Sequence, residues 1–547
     1  MDSVPLRYHE ATKHHFSRFA RALGYLDWAT QPDPFRRYEG AALVELPRQP
    51  LAADVPYSAL YDPDSRITPR PIDVHSIGEF LRCSMGLSAW KQHGASRWAL
   101  RVNPSSGNLH PTETYVIWDR RVFHYAVKEH SLEQRCGLLT PEPYPLTPSF
   151  FVALTSILWR EAWKYGERAF RYCQHDAGHA IAALRCAAAL LGWQLALLPQ
   201  WSDAQIAAVL GLDRDCDFGT AEREEAECIA LVTAGDVGPW RDDDPHLFAD
   251  AARNGTWSGQ ANTLSSSRIE WPIIDDVAAA TRYPGLGGSV DALRRTDASA
   301  RRTDAWSHRT DSPVRNGTDG ARPASARRII LQRRSALAFN PRGFLTRHSF
   351  FAMLRRLHPG APPWDAIDWP PHVHLALFVH RVQDTQPGLY AYLRDGAVLD
   401  EWQSAMRPEL LWERVDEELF LLVPIDCKRA ANRVSCDQEI AEDGFFSLGM
   451  IARLEQPVRA GGEWFYRRLF WECGIIGQIL YLEAEAVGAR ATGIGCFYDD
   501  PVHELLGLSG HAWQSLYHFS MGIPVEDSRL TTEPGYSWEA SHEPSVR

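Results

Sequence analysis

The chain has 547 residues and carries 57 Lys and Arg against 69 Asp and Glu, a formal net charge of −12. With 45% apolar and 23% charged residues it has the composition of a globular protein, long enough for two or more cores, and not that of a disordered chain. The acidic balance argues against a nucleic-acid partner, whose phosphates are met by clustered Lys and Arg.

Met1-Asp2-Ser3-Val4-Pro5-Leu6-Arg7 lacks the basic start and apolar core of a signal peptide. The most apolar stretch, Ala180 to Leu198, is broken by Arg185 and is marginal in length for a bilayer span, so no membrane association is expected. Ten cysteines without a Cys-x-x-Cys pair suit a reducing compartment, and the expectation is a cytoplasmic protein.

The run Arg101-Val102-Asn103-Pro104-Ser105-Ser106-Gly107-Asn108 offers hydroxyls, an amide and bare backbone N–H groups in a tight turn. Those groups suit a heteroaromatic ring bearing carbonyls and ring nitrogens, and they equally make an ordinary loop. Further on, His175-Asp176-Ala177-Gly178-His179 imitates a zinc-protease motif with two His at i and i+4. Asp is a methylene shorter than the usual Glu, Gly178 weakens the helix and no third ligand is evident, so no metal is expected. Ala180–Leu191 reads as helix, Gly192 as its left-handed terminator, and Gln194–Leu198 as a strand or extended loop.

Between about Tyr283 and Arg328 the composition changes. Gly285, Gly287, Gly288 and Ser289 precede a crude repeat of Arg-Thr-Asp at 295–297, 302–304 and 309–311. Too few large apolar groups are present to offset the ordering entropy, which predicts a flexible linker at about 283–327. Domain 1 is placed at 1–245, an inter-domain segment at 246–327 and domain 2 at 328–547. Domain 2 opens on Arg333-Arg334-Ser335, whose guanidinium forks and hydroxyl suit a dianion or a solvated helix end. No such run opens domain 1, where Ser65-Arg66-Ile67-Thr68-Pro69-Arg70 is a poor match.

The second half then repeats the first. Gly178, Gly192 and Gly211 recur 296 residues later as Gly474, Gly488 and Gly507, with Ile475–Val487 as the second helix and Ala491–Phe497 as the second extended run. Three landmarks in register indicate duplication. A dimer with interfacial sites can become one chain whose halves each lose what the other supplies, which directs attention to residues present in one copy. Cys496, beside Gly493-Ile494-Gly495, is assigned to packing in preference to redox chemistry.

These motifs, in this order, resemble the FMN-dependent nitroreductase superfamily, in particular its SagB-type, azoline-dehydrogenase-like branch, as a tandem fusion. In the first half the resemblance rests on Leu26-Asp27-Trp28, Gln31-Pro32, the Pro104–Pro111 loop, Trp163-Lys164-Tyr165-Gly166-Glu167-Arg168 and Asp176–His179. In the second it rests on Arg333-Arg334-Ser335, Pro387-Gly388-Leu389-Tyr390, Gly474–Gln478, Gly493–Gly495 and Asp527-Ser528-Arg529. The resemblance implies an α+β fold: two nitroreductase-like domains, each a mainly antiparallel sheet flanked by helices, forming an intramolecular pseudo-dimer. It implies FMN as cofactor, with Arg333, Arg334, Ser335 and Arg529 on the phosphate. Arg101, Pro104, Ser105, Ser106 and Asn108 would serve the isoalloxazine, and Gly493, Ile494 and Gly495 would lie beside its reactive edge. One FMN per chain is expected, the reciprocal site being degenerate.

The resemblance also makes Lys164 and Tyr165 the catalytic pair, a Lys or a phenolate taking the proton as hydride leaves carbon for flavin N5. The implied function is dehydrogenation of an azoline-like heterocycle in a small-molecule or peptide substrate. One alternative is an NAD(P)H-dependent nitro or quinone reductase, and another, from a different class, is a non-catalytic flavin- or peptide-binding scaffold. Further homo-oligomerisation is not required.

Overall fold

The computed structural model describes residues 3–51, 55–62, 67–139, 149–235, 244–285 and 324–539. Gly287, Gly288, Ser289 and the three Arg-Thr-Asp repeats of the expected linker lie outside them, as do Ser65 and Arg66. Among the described residues no helix is long and apolar enough to cross a membrane.

The duplication is visible residue by residue in the helices. Ala169–Leu190 and Phe465–Ala486 are both 22 residues long and begin and end 296 positions apart. The shorter helices Asp203–Leu210 and Asp499–Leu506 keep the same offset. The landmark glycines are the reason: Gly192 and Gly488 follow the long helices at φ 71° and 75°, and Gly211 and Gly507 cap the short ones at φ 73° and 82°. Residues with a Cβ avoid that left-handed region, so Gly marks the stop.

Each half builds one large antiparallel sheet in which six strands follow the same order; the outer edge differs, because Thr256–Trp257 and Ala42–Glu45 both pair with Ser131–Gly137 in the eight-stranded first sheet, while Glu413–Arg414 closes the seven-stranded second. The first runs Thr256–Trp257, Ser131–Gly137, Arg121–Ala126, Thr112–Trp118, Ser149–Ser156, Glu225–Thr233, Gln194–Leu197. The second runs Glu413–Arg414, Leu419–Val423, Gly388–Tyr392, Val373–Val379, Phe446–Arg453, Trp513–Gly522, Arg490–Ile494. The expected α+β pair of domains is therefore present. One correction concerns the boundary, because residues 248–257 of the expected inter-domain segment belong to the first domain. Phe248, Ala249 and Ala252 are buried against Tyr38, Phe151 and Trp201, and Thr256–Trp257 is a strand of the first sheet. Burial of these apolar side chains ties the segment to the first core.

The two long helices cross where Gly178 meets Gly474. A Cβ on Gly178 would stand 2.2 Å from the Trp471 carbonyl oxygen, and one on Gly474 would stand 2.3 Å from that of His175. Only Gly permits backbones this close, and the contact seats the halves as a pseudo-dimer around one continuous apolar cluster. Gly474→Ala should destabilise the protein by about 3 kcal/mol, the upper end of overpacking costs, because the obstacle is backbone and cannot rotate away. Urea unfolding measures this, and a wild-type midpoint would show that the helices separate freely.

The termini lock the arrangement. Thr531–Pro534, from the second half, pairs with Leu87–His93 of the first. In the Val4–Ala11 helix, His9 hydrogen-bonds Tyr466 and Gln514 of the second half at 3.2 and 3.1 Å. Two buried ion clusters follow the pseudo-symmetry: Arg171 binds Asp499, and 296 residues apart from each, Arg467 binds Asp203.

Candidate functional site

The Pro104–Asn108 loop is held at both ends. Arg101, buried at the end of Ser96–Arg101, donates to the carbonyls of Thr112 (3.0 Å) and Pro34 (2.6 Å). Arg101 is thus a clamp at the base of the loop. Inside it, Ser105 Oγ accepts from the His110 N–H at 2.8 Å, while Gly107, Asn108 and His110 are left-handed at φ 63°, 58° and 51°. A Cβ on Gly107 would lie 2.8 Å from the Tyr165 hydroxyl and 3.0 Å from Lys164 Nζ, so the two sequence motifs of the first half touch.

Beneath the loop are two carboxyls, and one of them sequence reasoning passed over. Ser105 Oγ donates to Glu161 Oε1 at 3.4 Å, and the Ser106 N–H donates to Asp176 Oδ1 at 3.3 Å. Both acids are buried. Burial and the Asp176 charge push the Glu161 carboxyl well above the usual range, and burial pushes Asp176 up to about 8. The available signal for Glu161 was its spacing, one helical turn before Lys164 in Leu158–Tyr165. Burial and Glu161 likewise push the Tyr165 phenol well above its ordinary range.

The second half meets this group through aromatic rings. Tyr165 lies 4.5 Å from Tyr172, whose ring covers Gly495 so closely that a Cβ there would be 2.1 Å away. Gly493 is covered by Tyr517, and His175 stacks on Tyr517 at 4.1 Å. Ile494, between the glycines, points into the second core. The supposed zinc pair is otherwise engaged: His175 Nε2 bonds the Leu516 carbonyl and His179 Nε2 the Tyr517 hydroxyl. Among the described residues no group of three His, Cys, Asp or Glu is placed to hold a metal.

The Gly493 N–H donates to the Tyr481 hydroxyl (2.8 Å), which bonds Ser335 Oγ at 2.9 Å. Here the arginines stand. Arg333 is buried and donates to the carbonyls of Val102 (3.0 Å) and Arg101 (3.1 Å), on the strand that leads into the Pro104 loop. Arg334 donates to the Ser88 carbonyl at 2.6 Å. Arg333 Nη1 and Arg334 Nε are buried without a hydrogen-bond partner. Burial and the neighbouring Arg333 push Arg334 down to about 9, an arrangement that an anion would relieve. Arg529 is exposed and paired with Asp527 at 2.7 Å.

The pseudo-equivalent place is built differently. Leu197, Leu198 and Pro199 stand 296 residues before Gly493, Ile494 and Gly495. With Trp201, Tyr283, Trp464 and Trp471 they line a pocket of about 30 Å³. Its arginines already have carboxylates, Arg467 on Asp203 and Glu227, and Arg468 on Asp368.

A family model described as "Nitroreductase family" matches residues 68–220 and 390–523, more than half of the chain. No curated protein matches it. Among solved structures the chain is similar to a nitroreductase of Anabaena variabilis, at 18% identity and a TM-score of 0.65 over 96% of this chain and 100% of that one. It is similar over 37% of its length to 96% of a nitroreductase of Ralstonia eutropha (13% identity, TM-score 0.27). Over 46% of its length it is similar to 98% of a chain in the E. coli microcin synthetase McbBCD complex with truncated pro-MccB17 bound (15% identity, TM-score 0.27).

Proposed function

The chain belongs to the nitroreductase family, and on that premise we propose that it is an FMN-dependent dehydrogenase of SagB type that holds one FMN per chain and oxidises azoline-like heterocycles in a peptide or small molecule. The observation that carries this reading is that arginines with buried, unpartnered guanidinium nitrogens donate from the second half to the carbonyls at the base of a hydroxyl-rich loop that lies on Lys164. The residues present fit the cofactor. Arg333, Arg334 and Ser335 present donors and positive charge suited to a phosphate dianion. Ser105, Ser106 and Asn108, carried on the loop that Arg101 clamps, offer polar groups for the carbonyls and nitrogens of a flavin ring.

When bound, FMN supplies an acceptor for two electrons and a proton equivalent at N5. Lys164 Nζ takes the proton released from substrate carbon. Tyr165 orients Lys164 and packs its ring 4.5 Å from that of Tyr172.

Flavin extracted from the purified full chain and quantified per polypeptide tests the reading: one FMN is expected, and two tightly bound per chain would refute it. Arg334→Ala should weaken FMN binding about 10–150-fold, the worth of ~1.5–3 kcal/mol for a hydrogen bond to a charged group. Rapid bleaching of the flavin by NAD(P)H in stopped flow, without turnover of an azoline, would instead favour the reductase.

A further inference from the structure

Ten cysteines are present, and one pair of sulfurs meets. Cys436 Sγ and Cys496 Sγ are 3.0 Å apart, 60 residues apart in sequence. Seven other cysteines are buried, and Cys216 is exposed with its sulfur against Arg214 and Asp217. Both members of the pair are partly exposed.

The backbone around them is already docked. Cys436 occupies a left-handed turn (φ 57°) after the helix Lys428–Val434. That turn is joined to the end of Arg490–Ile494 by Gln438 Nε2, which donates to the Cys496 carbonyl at 3.0 Å, and by the Tyr498 N–H, which donates to the Val434 carbonyl at 2.9 Å. Bonding the sulfurs therefore requires a shift of about 1 Å and no rearrangement of chain direction. A cation borders the site: Arg168 donates to the Gly495 carbonyl at 3.3 Å and lies 4.8 Å from the Phe497 ring, straddling Cys496. The contact with Cys436, aided by Arg168, lowers the Cys496 thiol from its ordinary value.

We propose that Cys436 and Cys496 form a reversible dithiol–disulfide couple, with Cys496 the thiol attacked by peroxide and Cys436 the one that resolves it. This site goes beyond the flavin reading and needs no bound cofactor. Cys496 sulfur attacks one peroxide oxygen, the O–O bond breaks, and a sulfenic acid and one water result. Cys436 sulfur then displaces the sulfenic oxygen as a second water. In all, two S–H bonds and one O–O bond are broken, one S–S bond and two O–H bonds are made, and the sulfurs lose the two electrons that peroxide gains. A thiol reductant reverses the step by exchange. The disulfide pins the 435–438 turn to the strand end that carries Gly493 and Gly495.

The experiment uses the full chain, reduced, exposed to hydrogen peroxide, quenched in acid and alkylated under denaturing conditions. The expected result is the loss of two alkylatable thiols, an intact mass lower by two hydrogens, and a crosslinked peptide joining positions 436 and 496, all reversed by dithiothreitol. In Cys436→Ser the expected product is a sulfenic acid at Cys496 that a 1,3-dione traps, with no crosslink. Retention of all ten thiols, oxidation at Cys216 alone, or irreversible oxidation of Cys496 in the wild-type chain without a crosslink would each overturn the proposal.

Discussion

Asp499→Asn is expected to cost about 3–5 kcal/mol of stability, because it removes one side of a buried charge cluster and leaves two guanidinium groups uncompensated. The Asp499 carboxylate is fully buried, with Arg168 on Oδ2 at 2.9 Å and Arg171 on Oδ1 at 2.8 Å, and it accepts the His14 N–H at 2.8 Å. It therefore joins three pieces of chain: the N-terminal segment, the first long helix and the second half. Burial by itself would raise its pKa, but Arg168 and Arg171 outweigh that and hold the carboxyl well below the usual range. A depressed folded pKa gives stability that is present above the unfolded value, about 3.9, and is lost as pH falls toward the folded one. The gap between wild type and Asp499→Asn, read from guanidinium unfolding curves, should be constant near neutrality and narrow below about pH 4. A variant as stable as wild type would show that the pseudo-dimer does not depend on this cluster.

Lys164→Ala is expected to lower kcat about 10²–10⁴-fold, the usual worth of a positioned acid–base group, while flavin content and visible spectrum stay unchanged. The reason is placement. Nζ stands over the left-handed Gly107 of the loop and 5.2 Å from the Tyr165 ring centroid, whereas Arg333, proposed for the phosphate, donates to the Val102 carbonyl before the loop. Removing the amine leaves that anchor intact. Steady-state turnover of an azoline-containing peptide, with the flavin measured in the same sample, separates the two effects. Wild-type kcat in the variant would remove Lys164 from the mechanism. Tyr165→Phe should cost less, because a phenol held protonated by burial and Glu161 contributes orientation and not basicity.

Much of the fold could be read from particular residues. Gly192 and Gly211 with their copies located where both long helices end and both strands follow, because a left-handed stop demands Gly, whereas the first half of each long helix, from Ala169 and from Phe465, lay outside the expected ranges. The boundary at 245 was misplaced for the opposite reason. Phe248, Ala249 and Ala252 carry too weak a local pattern to show which core they join. At the site, the Pro104–Asn108 loop, Lys164-Tyr165 and Arg333-Arg334-Ser335 were all visible as single-copy motifs. Glu161 was not, since an acid on an otherwise ordinary helix acquires a raised pKa only when other elements bury it. Arg529 was singled out, yet Asp527, two residues away, engages it on the surface.

The order of residues alone therefore determined that the chain is a duplication and that each half keeps a different chemical motif, because helix stops, turns and charged runs are governed by neighbours along the backbone. Only the tertiary structure decided which of these come together. Arg333 reaches Val102 across 231 positions and Cys436 meets Cys496 across 60, contacts set by the crossing of two glycine-bearing helices and by the packing around them. Packing couples distant segments through volume and burial, and neither quantity is written in local spacing.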